Sequence, residues 1–535
     1  MARTFETYRR KNYEAIAALS WGLAIAYGLY GLQTGLPRFP FWIVLGAASV
    51  MLCVRAIPAI RFALDRRRLL SDYRIWHLPL SVLIQRVNRH PQEIYLGRGF
   101  DWGQPHTQKV FDLLKGDIEA IAPRKPGQMG AFWIHGLSRR EKEIALPVAH
   151  SEGHTFIVGT TGAGKTTLFR LWIAQAILRN EAVLIFDPKG DRGMLQVARA
   201  CCEHLGKPER FVYFHPGFPE ESVGIDALHN FNRASELASR LAALIPSETG
   251  SDPFKAFGQK SLDNIVQAIL TIERRPTLVS LRRYLESGAA GLVVKTLSHY
   301  LDRVDPTWRA KINLERSLDA VASDLIRYYR QHVQEAAPAL ELEGLMSLYE
   351  HDRTHFNKMV ASLLPIMNIL TVGDLAYLLS PAIRPERPAT DLARIISQNQ
   401  VAYIALDSLS DAMTGAAIGS LLLSDLASVA GDRYNYGVGE RIIHIFVDEA
   451  AEVVNDPFIQ VLNKGRGAGM RLYVASQTFS DFVARMGSRD KAQQILGNLN
   501  NLIALRVLDS DTQKYVTANL PKTYIKGVMH VQGSS

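Results

Sequence analysis

Cysteine is scarce in this chain. Among 535 residues there are three cysteines, Cys53, Cys201 and Cys202, and they form no CxxC pair or Cys/His cluster. This excludes a disulfide framework and a structural zinc site, and it fits a reducing compartment. Because Cys201 and Cys202 are neighbours in a predicted helix, we interpret them as packed thiols.

A broad excess of one charge is also missing. The formal net charge is +9, but residues 1–70 hold ten of the basic and only three of the acidic side chains. The remainder is nearly neutral, which excludes a uniformly basic surface for nucleic acid. Any DNA contact in the main body must come from local grooves or loops. With 47% hydrophobic and 21% charged residues, the chain is typical of a folded protein of two or three domains.

Two long apolar runs lie near the N-terminus. Residues 15–32 carry no charge, and as a helix they would extend about 27 Å, close to the hydrocarbon thickness. The second run, 39–60, is interrupted by Arg55, which can snorkel to the interface. Basic residues precede the first run and follow the second, so both flanks are predicted to be cytoplasmic. We therefore predict a transmembrane hairpin within an anchor over residues 1–70. The alternatives are a pair of buried core helices and a signal peptide, although no small-residue cleavage site is present.

A phosphate-binding motif follows in the middle of the first half. Residues 159–166 read GTTGAGKT and match GxxxxGK[ST] in full. The β-type run 154–158 precedes the motif, a helical pattern over 167–179 follows it, and 182–186 is a second strand. This strand–loop–helix–strand order is typical of a nucleotide-binding P-loop.

The side chains of this loop predict ATP and Mg²⁺ as cofactors. Glycines allow backbone N–H groups to face phosphate oxygens, Lys165 supplies charge to the β- and γ-phosphates, and Thr166 offers a hydroxyl to Mg²⁺. The residues assigned to the nucleotide are Gly159, Thr160, Thr161, Gly162, Ala163, Gly164, Lys165, Thr166 and Thr167.

A P-loop enzyme also needs an acidic element. Residues 441–449 read RIIHIFVDE, so a buried strand would deliver Asp448 and Glu449 to its carboxyl end. We assign Asp448 to the Mg²⁺ shell and Glu449 to the general base that polarises the attacking water.

Three further segments are candidates for the same site. Arg466, in the glycine-rich stretch 464–470, could reach a neighbouring subunit's nucleotide as an arginine finger; the alternatives are a surface turn or a DNA contact. Gln477 ends a predicted strand and could sense the γ-phosphate or merely cap that strand. The segment 187–191, DPKGD, is as consistent with a contact of Asp187 or Lys189 with the site or with DNA as it is with a plain turn.

The remaining pattern predicts an α/β fold. Further apolar runs at 211–214, 401–406 and 502–507 bring the strands to about seven, which indicates a mostly parallel sheet covered on both faces. Between 229 and 384 the apolar spacing is helical, so we expect an all-helical insertion. The motor domain then comprises residues 71–228 and 385–535.

Together these motifs resemble one family. GTTGAGKT at 159–166, IFDPKGD at 185–191, FVDEA at 446–450, GRGAG at 465–469 and ASQ at 475–477 resemble the type IV secretion coupling proteins, the TraD-like ATPases of bacterial conjugation. YLGRGFDW at 95–102 and YIALDSLSD at 403–411 suggest the TraD branch of integrative conjugative elements.

The resemblance implies a P-loop, RecA-like motor at the bacterial inner membrane. It implies a multi-pass anchor, a cytoplasmic motor domain and a homo-hexameric ring that passes single-stranded DNA, with its relaxase or relaxosome, to type IV secretion channel proteins. The family's functional positions correspond here to Lys165, Thr166, Asp448, Glu449, Arg466 and Gln477. The alternatives are a nucleotide-regulated docking receptor for secreted proteins, or an FtsK-type DNA translocase, which usually has more spans and a long linker.

Overall fold

The computed structural model describes residues 11–70, 77–115, 118, 122, 130–138, 140–245, 253–272, 274–437 and 441–527. The chain divides into two compact units. The first comprises Met1–Pro79, Tyr95–Ala145 and Ala518–Ser535, and the second comprises Leu80–Ile94 and Leu146–Thr517.

The helices and strands alternate along most of the chain. In chain order they are α1 (Tyr13–Gly31), α2 (Arg38–Leu69), α3 (Leu80–Arg89), β1 (Glu93–Gly99), α4 (Gln104–Leu114), β2 (Lys142–Pro147), β3 (Thr155–Val158), α5 (Lys165–Leu178), β4 (Ala182–Asp187), α6 (Arg192–His204), β5 (Phe211–Phe214), β6 (Gly224–Ile225), α7 (Ala234–Ala242), α8 (Pro253–Thr271), α9 (Leu278–Ser287), α10 (Ala290–Val304), α11 (Leu318–Tyr328), α12 (Leu340–Glu350), α13 (Arg353–Met359), α14 (Leu364–Thr371), α15 (Leu375–Leu379), β7 (Ala389–Thr390), α16 (Leu392–Ser397), β8 (Val401–Ala405), α17 (Ala412–Tyr436), β9 (Ile443–Val447), α18 (Asp456–Lys464), β10 (Met470–Ser476), α19 (Phe479–Met486), α20 (Arg489–Gly497), β11 (Asn501–Ala504) and α21 (Ser510–Ala518).

In the first unit, α1 and α2 pack as an antiparallel helical pair. A Cβ added at Gly28 would lie 2.9 Å from the Leu45 side chain, so the missing side chain allows a close approach of the two helices. At the other end, the Asn12 amide donates to the Ala59 carbonyl at 3.0 Å. The two helices fall on the predicted apolar runs, but α2 continues past residue 60 to Leu69.

Two described helices are long and apolar enough to cross a membrane, α2 and α17. Most of the apolar window of α2 is exposed, whereas two thirds of that of α17, 67%, is buried inside the second unit. We therefore interpret α17 as a core helix. Whether α1 and α2 cross a membrane together stays a prediction.

The second unit is built on a parallel sheet, which confirms the predicted α/β class. Seven strands lie in the order β11-β3-β10-β9-β4-β8-β5, and every neighbouring pair is parallel. Each of the seven predicted strands occupies one place in this sheet. The central strands are buried along their whole length, as expected when helices cover both faces.

The same unit carries a long helical segment. Within the described residues between β6 and β7, all of the regular secondary structure is helical, from α7 to α15. These helices share one continuous apolar core with the sheet. Arg240 of α7 and Asp425 of α17 form a buried ion pair, with Nη1 and Oδ1 2.7 Å apart.

The topology places several polar segments at the carboxyl end of the sheet. Because all strands run in the same direction, their carboxyl ends meet there. The P-loop follows β3, Asp187 ends β4, Asp448 follows β9 and Gln477 follows β10.

Candidate functional site

The P-loop closes tightly on the edge of the sheet. Gly162 and Gly164 have φ of 72° and 104°, conformations that glycine adopts without steric cost. A Cβ on Gly159 would lie 2.9 Å from the Cβ of Leu505, so this position also requires the smallest residue. The loop leads directly into α5, whose first residue is Lys165. The helix N-terminus therefore faces the inside of the loop, as in anion-binding sites.

Lys165 lies inside this loop. Its side chain is 6% exposed, and its ammonium group donates to the carbonyl of Gly159 at 2.7 Å. The ammonium group is also 3.7 Å from Oε1 of Glu449. The lysine charge is thus held between the loop backbone and the acidic element.

Thr166 and Asp448 lie side by side, although they are far apart in the sequence. The Thr166 hydroxyl is 3.4 Å from Oδ2 of Asp448. The backbone N–H of Asp448 donates to the Phe186 carbonyl at 3.0 Å, which fixes the start of the acidic turn on β4. Burial, together with the charges of Glu449 and Asp187, raises the pKa of Asp448 to about 6. A cation at this point would favour its ionised form.

Glu449 has an unusual backbone. Its φ of 39° lies in the left-handed region, which costs a non-glycine residue about 1–2 kcal/mol. Its N–H donates to Oδ1 of Asp448 at 2.9 Å. Gln477 links it to the P-loop, because the amide of Gln477 donates to Oε1 of Glu449 at 3.4 Å and accepts from the Thr161 hydroxyl at 3.3 Å.

Arg466 does not join these residues. It lies in a short 3₁₀ turn, Gly465–Ala468, before β10, whereas the P-loop lies beyond the carboxyl ends of the strands. Its side chain is 69% exposed and contacts Glu152 at 3.3 Å. Arg466 therefore lies at the amino end of the strands, opposite its own P-loop. Any action of Arg466 on a nucleotide requires a second subunit.

The structure adds residues that sequence motifs mark weakly or not at all. Nε of Arg506 donates to the Thr160 hydroxyl at 3.1 Å, and its Nη2 donates to the Thr161 carbonyl at 3.3 Å. Lys189, which the sequence left between a turn and a site role, contacts Glu449 at 2.5 Å. Arg506 follows an edge strand, and no motif marks it. Its proximity to the loop depends on the pairing of β11 with β3.

The donor set fits Mg²⁺ bound together with a nucleotide. No group of three or more His, Cys, Asp or Glu side chains suited to a metal occurs among the residues placed by the structure. Mg²⁺ commonly takes one or two protein oxygens and completes its shell with phosphate oxygens and water. Thr166 and Asp448 present two such oxygens beside a phosphate-binding loop.

Fold and site together define a P-loop nucleotide-binding protein of the parallel α/β class. Two family models give the family. Residues 140–293 match the type IV secretion-system coupling protein DNA-binding domain, and residues 443–535 match the TraM recognition site of TraD and TraG. The chain belongs to the type IV coupling proteins. Its place in the TraD branch stays a prediction.

Solved structures of similar proteins include coupling proteins. An unbound form of the bacterial conjugative coupling protein TrwBdeltaN70 is 15% identical, with 67% of this chain and 70% of that chain covered and a TM-score of 0.43. The plasmid coupling protein TrwB in complex with ADP and Mg²⁺ is 15% identical, with coverage of 67% and 70% and a TM-score of 0.40. VirB4 of Thermoanaerobacter pseudethanolicus is 16% identical, with coverage of 69% and 81% and a TM-score of 0.34. No curated protein sequence matches the chain.

Proposed function

We propose that this protein is a membrane-anchored ATPase that couples ATP hydrolysis to the transfer of single-stranded DNA, or a relaxase–DNA complex, into a type IV secretion channel. One observation carries the proposal. The P-loop lysine, the Thr166 hydroxyl and the carboxylates of Asp448 and Glu449 meet at one sheet edge. The match of residues 140–293 to a coupling-protein DNA-binding domain supports DNA as the cargo.

In this proposal each side chain has a separate task. Lys165 and the loop N–H groups bind the phosphates, while Thr166 and Asp448 hold Mg²⁺, which neutralises developing charge on the phosphates when bound. Glu449 accepts the proton of the attacking water. Gln477 contacts both Thr161 of the P-loop and the carboxylate of Glu449, so a change in the P-loop on nucleotide binding would also move the general base.

The proposed assembly is a homo-hexameric ring at the bacterial inner membrane. Arg466 lies away from its own P-loop and exposes its guanidinium group, as expected of an arginine that serves a neighbouring subunit. Residues 1–70 would anchor the ring as a multi-pass segment, with the motor of residues 71–228 and 385–535 in the cytoplasm and residues 229–384 as its helical insertion. The match of residues 443–535 to a TraM recognition site supports a relaxosome partner.

The test is ATP turnover by the detergent-extracted full chain, with and without single-stranded DNA. We expect turnover that single-stranded DNA stimulates, and stimulation that falls steeply with salt, because phosphate contacts release counterions. Lys165→Ala should abolish turnover and DNA transfer. Lys514→Ala removes an exposed lysine of α21 that pairs with Asp511, and it serves as the control.

Each other outcome favours a different function. Absence of turnover in both conditions would favour a nucleotide-regulated docking receptor for secreted proteins. Stimulation by double-stranded DNA alone would favour a translocase of the FtsK type. Normal DNA transfer by Lys165→Ala would contradict a motor role altogether.

A further inference from the structure

The carboxylate of Glu449 is surrounded by donors on one oxygen. Oε1 lies 2.5 Å from Nζ of Lys189, 3.4 Å from Nε2 of Gln477 and 3.7 Å from Nζ of Lys165. The Glu449 side chain is 8% exposed, so water screens these contacts poorly. The shortest contact comes from Lys189, which belongs to neither the P-loop nor the acidic turn.

The other two donors have second partners. Lys165 donates to the Gly159 carbonyl at 2.7 Å, and in the proposed function it also serves the nucleotide phosphates. The Gln477 amide accepts from the Thr161 hydroxyl at 3.3 Å. Lys189 therefore differs from the other two donors, because the short hydrogen bond of its ammonium group is made to Glu449.

The turn that carries Lys189 is fixed in place. Asp187, which is fully buried at the end of β4, accepts from the backbone N–H of Lys189 at 3.0 Å and from that of Asp191 at 2.6 Å. The Tyr403 hydroxyl, on the adjacent strand β8, also donates to Asp187. These hydrogen bonds hold the backbone of the turn against the sheet, and Lys189 extends from this fixed backbone towards Glu449.

Charge balance around the base gives the same result. Three carboxylates, Asp187, Asp448 and Glu449, lie at the carboxyl end of the sheet and repel one another, and the Lys189 ammonium group offsets part of this repulsion. Burial opposes the charged form of Lys189, yet the hydrogen bond and the charge of Glu449 keep the pKa of Lys189 above its usual value. The ammonium therefore remains protonated and attracted to the base.

We propose that Lys189 is a positioning residue for catalysis: its ammonium group holds the Glu449 carboxylate in the orientation from which it accepts the proton of the attacking water. This inference rests on the proposed ATPase function. Lys189 acts through Glu449 and leaves phosphate binding to the P-loop. Loss of the lysine should therefore lower kcat and leave nucleotide affinity and KM nearly unchanged.

The experiment compares Lys189→Met, Lys189→Gln and Lys189→Arg in the detergent-extracted full chain. We expect Met and Gln to lower kcat by about 10- to 100-fold, the size of effect that a misplaced reacting group produces, with KM for ATP within about twofold of wild type. Arg retains a cation of similar reach and should recover most of kcat. Binding of a fluorescent ATP analogue should be equal in all three variants.

A matched control separates this effect from a general loss of stability. Lys491 pairs with Asp456 at 2.8 Å and has 37% of its side chain exposed, compared with 40% for Lys189, so Lys491→Met removes a lysine of similar exposure whose acidic partner is not Glu449. It should leave kcat unchanged. Wild-type kcat in Lys189→Met, or equal losses with Arg and Met, would overturn the inference while wild-type turnover left the proposed function intact. Absence of turnover in the wild-type protein would overturn both.

Discussion

Thr166 and Asp448 are separated by 282 positions in the sequence, yet the hydroxyl of one lies 3.4 Å from the carboxylate of the other. The contact joins the first turn of α5 to the end of β9. Two oxygen atoms are thereby placed beside the phosphate-binding loop, and neither segment could provide such a site alone.

Removal of one of these oxygens should change the demand for Mg²⁺. Thr166→Ala leaves Asp448 as the one protein oxygen of the pair, so we expect a higher Mg²⁺ concentration for half-maximal turnover and a tenfold or larger loss of kcat, on the order of 1.4 kcal/mol or more. Titration of turnover with Mg²⁺ measures this. Thr166→Ser keeps the hydroxyl and is the control. Equal Mg²⁺ requirements for Ala and Ser would contradict the assignment.

Glu449→Gln should separate binding from hydrolysis. Glutamine keeps the shape of the side chain but cannot accept a proton, and general-base catalysis is worth about 10²- to 10⁴-fold. We expect a loss of turnover in this range and retained binding of a fluorescent ATP analogue. The matched comparison is Glu452→Gln, three residues later in the same acidic turn. Turnover near wild type in Glu449→Gln would remove Glu449 from the chemistry.

Arg466 allows a test of action between subunits. Arg466→Ala alone should lower turnover by on the order of 10³-fold, as for other arginine fingers. Mixed assemblies of Arg466→Ala and Lys165→Ala chains should regain part of the activity, because a Lys165→Ala chain can supply its arginine to an intact neighbouring P-loop. If the mixture stays as inactive as its components, Arg466 does not act in trans.

Arg506 should affect nucleotide affinity rather than chemistry. Its side chain holds the Thr160 hydroxyl and the Thr161 carbonyl, and loss of such bonds costs about 1–3 kcal/mol. Arg506→Ala should therefore weaken nucleotide binding about 5- to 150-fold, measured by titration with a fluorescent ATP analogue. Arg506→Lys, which retains one donor, should lie between Ala and wild type. Unchanged affinity in Arg506→Ala would show that the loop keeps its shape without this contact.

His154 predicts a loss of stability in acid. Nδ1 accepts from the Leu472 N–H and Nε2 contacts the Leu462 carbonyl, which suits a neutral ring. Burial lowers the pKa of His154 from 6.5 to about 4. The unfolded chain therefore binds the proton first, and stability is lost as pH falls from about 6.5 to about 4, by up to about 3 kcal/mol.

The measurement is the melting temperature as a function of pH for the wild-type protein and His154→Asn. Asparagine tolerates the positive φ of 54° at this position, and it does not titrate. The variant should be less stable at pH 7 but should lose less stability between pH 6.5 and 4. Parallel pH profiles would contradict the role of His154.

The strands of the sheet could be predicted because each is a short, nearly continuous apolar run, such as 182–186 or 443–447. Such runs occur where both faces of a strand are covered. The length of α2 was harder to predict. Arg66, Arg67 and Arg68 are not typical of a span, yet basic side chains stabilise the last turn of a helix, which here extends to Leu69.

The site was only partly accessible to sequence reasoning. The motif at 159–166 and the acids at 448–449 follow known local patterns, so their roles could be proposed before their positions were known. The contacts of Lys189 and Arg506 depend on which strands are neighbours, and strand order is set by long-range packing. Lys189 reaches Glu449 only because β4 lies beside β9, and Arg506 reaches the P-loop only because β11 lies beside β3.

Strand β10 has a mechanical consequence for the proposed ring. Gln477 follows its last residue and Arg466 precedes its first by four positions, and at about 3.3 Å per residue the seven-residue strand is roughly 23 Å long. Because the strand is buried along its whole length, it would form a rigid connection through the subunit. One end would lie at the nucleotide of its own subunit and the other end would lie towards the nucleotide of an adjacent subunit. Consecutive catalytic events around the ring would then be kept in step without a flexible joint.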